Sequence, residues 1–207
     1  MLDFGLVVIG AHFGVWLENE IKKFKDHNIL LVEPVPYNIE ILEKKYGEFD
    51  NIYICKNAIF SKKKISNFYY VNGKSIHKLG KHWASGIGSF NKNHILDHRS
   101  KRFKIENEDI VEMKMEFITF QDMIKIFSIK SIDRLQIDVE GAEYEILKSI
   151  DFKNMKINSI LFESKHFDGT FKEGDKLLEI KKKLSNEGYK LSKIDSENML
   201  AEKLSLI

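Results

Sequence analysis

A single cysteine, Cys55, excludes an internal disulfide, so a reducing, cytoplasmic setting is expected. Cys55 itself is expected to be a small buried strand residue. Only two prolines occur, and no Gly/Ser-rich stretch marks a linker, which favours one domain spanning residues 1–207 with its own core. No apolar run approaches the roughly 20 residues that a bilayer-spanning helix needs. The apolar start, MLDFGLVVIG, has no basic residue before it and flows into a glycine turn. A buried strand is therefore expected there, and not a secretion signal. Acids are almost missing from one segment. Between Ser61 and Lys104, eleven lysines and arginines face one acid, Asp97, a local excess of ten in a chain of net charge +2.

What is present is an alternation of short apolar runs and amphipathic stretches. Phe4–Ile9, Ile29–Val32 and Asn51–Cys55 have the β-branched, continuous apolar character of strands covered on both faces. Between them, Val15, Trp16, Ile21 and Phe24 fall at helical spacing, and Pro36 suits the first turn of a helix carrying Ile39, Ile41, Leu42 and Tyr46. Strands joined by helices imply right-handed parallel crossovers. Phe68–Val71 suggests a further short strand, and Asn72–Asp109 a long insertion, so that residues 61–109 form a basic lid or a solvated, flexible surface. Val111, Met113, Met115 and Phe117 then alternate with Glu112, Lys114 and Glu116, a half-exposed strand, and Thr119 can cap a helix reaching Phe127. Leu135–Val139 and Ile157–Phe162 continue the buried strands, with helices at Glu143–Ile150 and Lys172–Glu187. The runs Tyr189–Ile194 and Asn198–Glu202 suggest a terminal hairpin.

The first strand feeds into Gly10-Ala11-His12-Phe13-Gly14. Such a junction lets backbone approach a ligand and aims helix N–H groups at it, although a tight turn alone could explain the glycines. Glu33 closes the second strand 19 residues after Gly14, where a carboxylate can accept hydrogen bonds from the ribose hydroxyls of an adenosine cofactor. The competing reading is that Glu33 caps the helix near Pro36. A dinucleotide site wants GxGxxG so that a pyrophosphate can come close. GxxxG with the bulky His12 suits a cofactor without phosphates, which points to S-adenosyl-L-methionine.

These residues, with LLVEPVPYN (the EPxPxN around Pro34), ITFQDMI and above all IDRLQIDVEGAEYEIL followed by ILFE, resemble the FkbM family of methyltransferases. The resemblance runs from about Val7 to Glu163, and GYKL and NMLAE suit the family's last two strands. It implies a Rossmann-like, class I methyltransferase α/β fold: a mainly parallel seven-stranded sheet with an antiparallel last strand. It implies S-adenosyl-L-methionine as donor and O-methylation of a sugar, glycan or other natural product. By the same resemblance, Gly10, Ala11, His12 and Gly14 match the cofactor loop. Glu33 matches the ribose ligand, Asn57-Ala58 the turn beside the adenine, and Asp138, Glu140 and Glu143 the acidic motif after the fourth strand. Three positions depart from the family: Val8 replaces an acid, His12 an asparagine, and Gln121 an aspartate. The change at Val8 removes a partner of the cofactor's amino group.

Ligands of open α/β sheets bind outside the carboxyl ends of the strands, where Glu33, Asp138, Glu140 and Glu163 fall. A hydroxyl acceptor must lose its proton, so Asp138 and Glu140 are candidate catalytic groups, with Asp138 also a candidate for the cofactor's amino-acid end. Both could instead cap the helix after Gly141. Glu163 and His166 form a second catalytic set. Two acids alone do not make a magnesium site, so no metal is assigned. The basic segment, with Trp83 and His77, His82, His94 and His98, suits an anionic acceptor. Nucleic-acid methylation and a non-catalytic adenosylmethionine-binding module are the alternatives.

Overall fold

The computed structural model describes residues 1–14, 16–79, 82–97, 105–165, 167 and 174–204, with only the backbone for residues 78, 82 and 83. Strand β1 (Leu2–Ile9) leads through a turn into helix α1 (Glu18–Lys23), then β2 (Asn28–Val32), α2 (Pro36–Tyr46) and β3 (Ile52–Cys55). After β3 come β4 (Ala58–Phe60), β5 (Lys64–Val71), α3 (Gly73–Leu79), a 3-10 turn at His82–Gly86, β6 (Gly88–Ser89) and α4 (Lys92–Asp97). The chain continues through β7 (Ile110–Thr119), α5 (Phe120–Ile126), β8 (Ile129–Ile137), α6 (Glu143–Ser149), β9 (Lys156–Glu163) and α7 (Gly174–Asn186). It ends in β10 (Tyr189–Lys193) and β11 (Asn198–Lys203).

The main sheet has seven strands in the order β10-β11-β9-β8-β1-β2-β3. β1, β2, β3, β8 and β9 run parallel, and β11 lies antiparallel to both of its neighbours. This is the class I, Rossmann-like arrangement. The order reverses at β1, between β2 and β8, and ligands of open sheets bind at such a switch point.

Alternating residues of the central strands serve opposite faces, as a period of two requires. Val7, Ile9, Leu30, Val32, Leu135 and Ile137 pack with α5, α6 and α7 through Met123, Ile146, Leu147, Leu177 and Ile180. Leu6, Val8, Ile29 and Leu31 pack with α1 and α2 through Leu17, Ile21 and Leu42. Cys55 is buried on the first face.

The first helix starts later than its apolar spacing suggests. His12 and Gly14 are both left-handed (φ 52° and 77°), and this coil delays the helix to Glu18. Trp16 is consequently in a turn and 67% exposed, not on the core face; Val15 lies outside the described residues.

The largest departure concerns residues 58–119. The half-exposed alternation at Val111–Phe117 is observed, with Glu112, Lys114 and Glu116 exposed. It belongs, however, to a second sheet of order β4-β7-β5-β6, in which β5 is eight residues long and antiparallel to β7. The inner face of that sheet buries Phe68 and Phe117 against Val35 and Ala58. The short helices at Gly73–Leu79, His82–Gly86 and Lys92–Asp97 surround a separate apolar cluster that includes Leu79, Ala84, Ile87 and Ile95. Long-range β5–β7 pairing has no local signature, so the sequence suggests the two strands at Phe68–Val71 and Val111–Phe117 without joining them into a sheet.

Local capping is as the sequence suggests at Thr119. Its hydroxyl accepts from Asp122 N at 3.0 Å, and Asp122 Oδ2 accepts from Thr119 N at 3.0 Å. Thr119→Ala is expected to lower unfolding free energy by about 1 kcal/mol. Urea denaturation should show a lower midpoint at constant m-value; an unmoved midpoint would deny the cap its role.

Candidate cofactor and active site

Three strand ends are tied together at the switch point. Gly10 N and Ala11 N both donate to Val32 O (3.0 and 2.9 Å), and Asp138 N donates to Ile9 O (2.9 Å). A Cβ on Gly10 would lie 1.7 Å from the Asp138 carbonyl oxygen, at φ +91°. Glycine is required here by the neighbouring strand's loop before any ligand is considered.

Glu33 extends from the end of β2 into this junction and is 5% exposed. Its Oε1 accepts from Val35 N (3.0 Å) and Asn38 Nδ2 (3.2 Å), and its Oε2 accepts from His12 N (2.9 Å). The carboxylate therefore ties Val35, the N-cap residue of α2, and the Asn38 side chain to the glycine turn, without a side-chain cap bond to the helix backbone itself. These bonds do not exhaust the group. Each carboxylate oxygen offers two acceptor sites, and Oε2 receives one donor from the protein. Burial pushes the Glu33 carboxyl up to about 7, against the pull of its three donors.

The loop after β8 carries the other acids. Glu143 is fully buried, and its two oxygens accept from Val139 N (2.8 Å) and Gly141 N (2.9 Å). It thus organises the loop from inside. The N-cap residue of α6 is Ala142, whose side chain makes no capping bond. Asp138, Glu143 and Glu163 each bring an oxygen within 4.8 Å of one another. Burial and the nearby Glu163 charge raise the Glu143 carboxyl well above its ordinary range. Glu143 and Glu163 are buried and Asp138 is exposed, so this acidic cluster reaches the surface at Asp138. Glu140 is left-handed (φ 55°), and its Oε2 lies 3.4 Å from Nε2 of His94 on α4.

Two cavities meet at Gly10, Gly86 and Asp138. The first runs from Glu33 and Pro34 past Asn57 and Ala58 to the rings of Phe60 and Phe117. The second is bounded by Ala11, His12, Trp16, Gln136 and Glu140. The 3-10 turn of the basic segment roofs both. Ser85 Oγ hydrogen-bonds His12 Nε2, and the Ser85 carbonyl accepts from Asn38 Nδ2 at 2.9 Å and from Tyr37 OH at 3.3 Å.

The expected site residues thus divide. Gly10, Ala11, His12, Glu33, Pro34, Asn57, Ala58, Asp138 and Glu140 line one or both cavities. Gly14 does not: its α-carbon faces Tyr46 and Leu42 of α2, so this glycine serves the turn and helix packing. Glu163 is 7% exposed and lies in the acidic cluster, lining neither cavity, because β9 ends one strand away from the switch point. His166 lies outside the described residues, as do His98 and the side chains of His82 and Trp83. Sequence reasoning assigned no role to Asn38 or Gln136, and placed Ser85 and Gly86 only within the expected basic lid. Asn38 had a signal, being the asparagine of EPxPxN and a polar residue on the buried side of α2.

The domain described as "Methyltransferase FkbM domain" matches residues 9–191, most of the chain. The chain belongs to the FkbM methyltransferase family. As an FkbM methyltransferase it takes S-adenosyl-L-methionine as methyl donor. Among curated proteins there is no match. Solved structures similar to this FkbM methyltransferase include precorrin-6y C5,15-methyltransferase from Geobacter metallireducens GS-15, at 12% identity and TM-score 0.48, covering 98% of this chain and 82% of that one. Another is Aeropyrum pernix fibrillarin in complex with natively bound S-adenosyl-L-methionine, at 12% identity and TM-score 0.45, covering 97% of this chain and 66% of that one. No described helix of this FkbM methyltransferase is long and apolar enough to cross a membrane.

The raised Glu33 carboxyl has a signed consequence. Its folded value, about 7, exceeds the ordinary 4.5, so the fold favours the protonated form. The ligand-free protein should lose stability as pH rises from about 4.5 to 7, by roughly 3 kcal/mol at 1.36 kcal/mol per unit. Glu33→Gln should flatten that part of the profile. Subtracting the two denaturation series isolates Glu33 from Glu143, and parallel series would refute the assignment.

Proposed function

We propose that this FkbM methyltransferase methylates a hydroxyl of a sugar, glycan or other small natural product, in the cytoplasm. The observation that carries the donor half of the reading is the Glu33 carboxylate, held rigidly at the switch point with acceptor capacity left on Oε2. Glu33 would take a ribose hydroxyl, and one oxygen serves where the sequence alone suggested both hydroxyls on one carboxylate. Pro34, Asn57 and Ala58 would flank the adenine, with Phe60 and Phe117 as an apolar wall. Gly10, Ala11 and His12 line the adjoining cavity, where the amino-acid portion would lie.

The bound donor supplies an electrophilic methyl group on a sulfonium. What the chain must add is position and a proton acceptor. Asp138 lines both cavities, and its exposed side chain is the group we assign to receive the acceptor's hydroxyl proton as the oxygen takes the methyl and the thioether departs. Glu163, one strand farther and buried, would act only through the cluster it shares with Asp138.

The basic segment supports an anionic acceptor better than a nucleic acid. Lys63 pairs with Glu116 at 3.2 Å, and Lys64 lies over the Phe60 and Phe117 rings at 4.3 and 5.3 Å. Two of its lysines are thus engaged locally, and Glu112 and Glu116 are exposed acids on β7, which pairs with β5 of this segment. A continuous phosphate-tracking stripe is not favoured by that mixture.

Calorimetry with S-adenosylhomocysteine should show binding that Glu33→Ala weakens about tenfold or more, the loss of a charge-assisted hydrogen bond. Unchanged affinity would remove the donor assignment. Labelled methyl transfer across a panel of hydroxyl-bearing sugars should then yield product, with an acceptor KM that rises with salt if the acceptor is anionic. Donor binding without product would favour a binding module, and filter retention of RNA or DNA would favour nucleic acid.

A further inference from the structure

The 3-10 turn that roofs the two cavities is fastened through one residue. Ser85 is buried and lines neither cavity, yet side chains from two other parts of the chain converge on it. Its Oγ hydrogen-bonds Nε2 of His12 in the glycine turn, and its carbonyl accepts from Asn38 Nδ2 (2.9 Å) and Tyr37 OH (3.3 Å) of α2. His12 is itself fixed, by a left-handed backbone (φ 52°) and by the bond from its N–H to Glu33 Oε2 at 2.9 Å. The neighbour of Ser85, Gly86, borders both cavities. A Cβ on Gly86 would stand 3.4 Å from atoms of the His12 ring, so the turn lies directly on that imidazole. A molecule that extends from the Glu33 cavity into the adjoining one passes Gly86 where the two meet. The turn is backed by Ala84 and Ile87, which pack with Val71, Leu79, Ile95 and Ile105 in a cluster separate from the two that cover the main sheet. Small units of this kind open at less free-energy cost than a main core.

We propose that the Ser85–Gly86 turn is a strap that opens to exchange the methyl donor and its product, and that His12 is the positioning residue that fastens it. The proposal rests on the donor reading above and adds to it how the site is entered and left. His12 acts here through Ser85 and touches no reacting atom in this role. The fastening bond joins protein to protein, so it is made with the site empty or filled. Its loss therefore cancels from the equilibrium affinity and speeds entry and exit alike.

The test follows release of labelled S-adenosyl-L-methionine into excess unlabelled S-adenosylhomocysteine. Calorimetry supplies the Kd for S-adenosyl-L-methionine, and the two together give the association rate. Ser85→Ala removes the hydroxyl and keeps the carbonyl that Tyr37 and Asn38 hold. His12→Asn shortens the side chain and installs a residue that tolerates left-handed backbone. Each variant should release the donor about three- to tenfold faster, the scale of one hydrogen bond, with Kd changed by less than about twofold. The double variant should be no faster than the single ones, because both substitutions remove the same bond. A near-normal Kd also certifies that each variant is folded. Unchanged release in Ser85→Ala would overturn the proposal. So would a Kd that weakens in step with release at a constant association rate, or accelerations that multiply in the double variant. Failure of the unaltered protein to bind S-adenosyl-L-methionine would instead sink the donor-site reading, and this proposal with it.

Discussion

One buried carboxylate holds the working end of this protein together. Glu33 joins the glycine turn through His12 N, the start of α2 through Val35 N, and the roof of the site through Asn38, whose amide also reaches the Ser85 carbonyl. Pieces of chain far apart in sequence are thereby registered on one side chain. Burying a carboxylate is costly unless hydrogen bonds compensate. Three donors reduce that cost without removing it, and the residual penalty shows as a carboxyl raised to about 7. A ligand hydroxyl donating to Oε2 would supply a fourth bond to the charged form. The penalty left by folding would in this way be turned into affinity for a hydroxyl donor.

Much of the main sheet was legible in the sequence because its strands carry local information. FGLVVI and ILLV are continuous apolar runs, and each is a strand buried on both faces. Pro36 stands at the first position of α2, where its missing N–H costs nothing. Of the second sheet, Phe68–Val71 and the alternation at Val111–Phe117 were legible as strands, but their pairing was not. β5 and β7 pair across some forty intervening residues, and much of each strand is only partly buried or exposed, so neither sequence looks like a core strand. The site divides the same way. Glu33 and Asp138 sit at strand ends whose positions the pattern predicts, whereas Ser85 and His94 arrive through tertiary packing of short helices. Gly14 shows the converse error: the motif spacing was right, yet the glycine answers to Tyr46 and α2.

The family membership and the geometry constrain different things. A match over residues 9–191 establishes methyl transfer and its donor, and carries no information on how this chain places the donor. Placement depends on features of the chain's own packing, such as Val8 where the family has an acid. Val8 is not a hole in the site; it fills apolar space in the cluster of Leu6, Leu17, Ile29 and Leu31 on the α1 side of the sheet. An acid there would have to be buried in that cluster, at a desolvation cost that Gln136 across the strand could only partly offset.

The acidic loop after β8 completes the physical argument. Glu143 is fully buried and spends both oxygens on the backbone of its own loop, with Glu163 and Asp138 close by. Burial and like charges so near one another favour a retained proton, and the Glu143 carboxyl is accordingly raised well above its ordinary range. The loop is thus held in shape from inside by Glu143, while Asp138 and Glu140 are the side chains of this loop that line the second cavity. A sulfonium donor bound in that cavity would meet carboxylates whose placement the fold itself sets, through backbone bonds that do not involve the ligand.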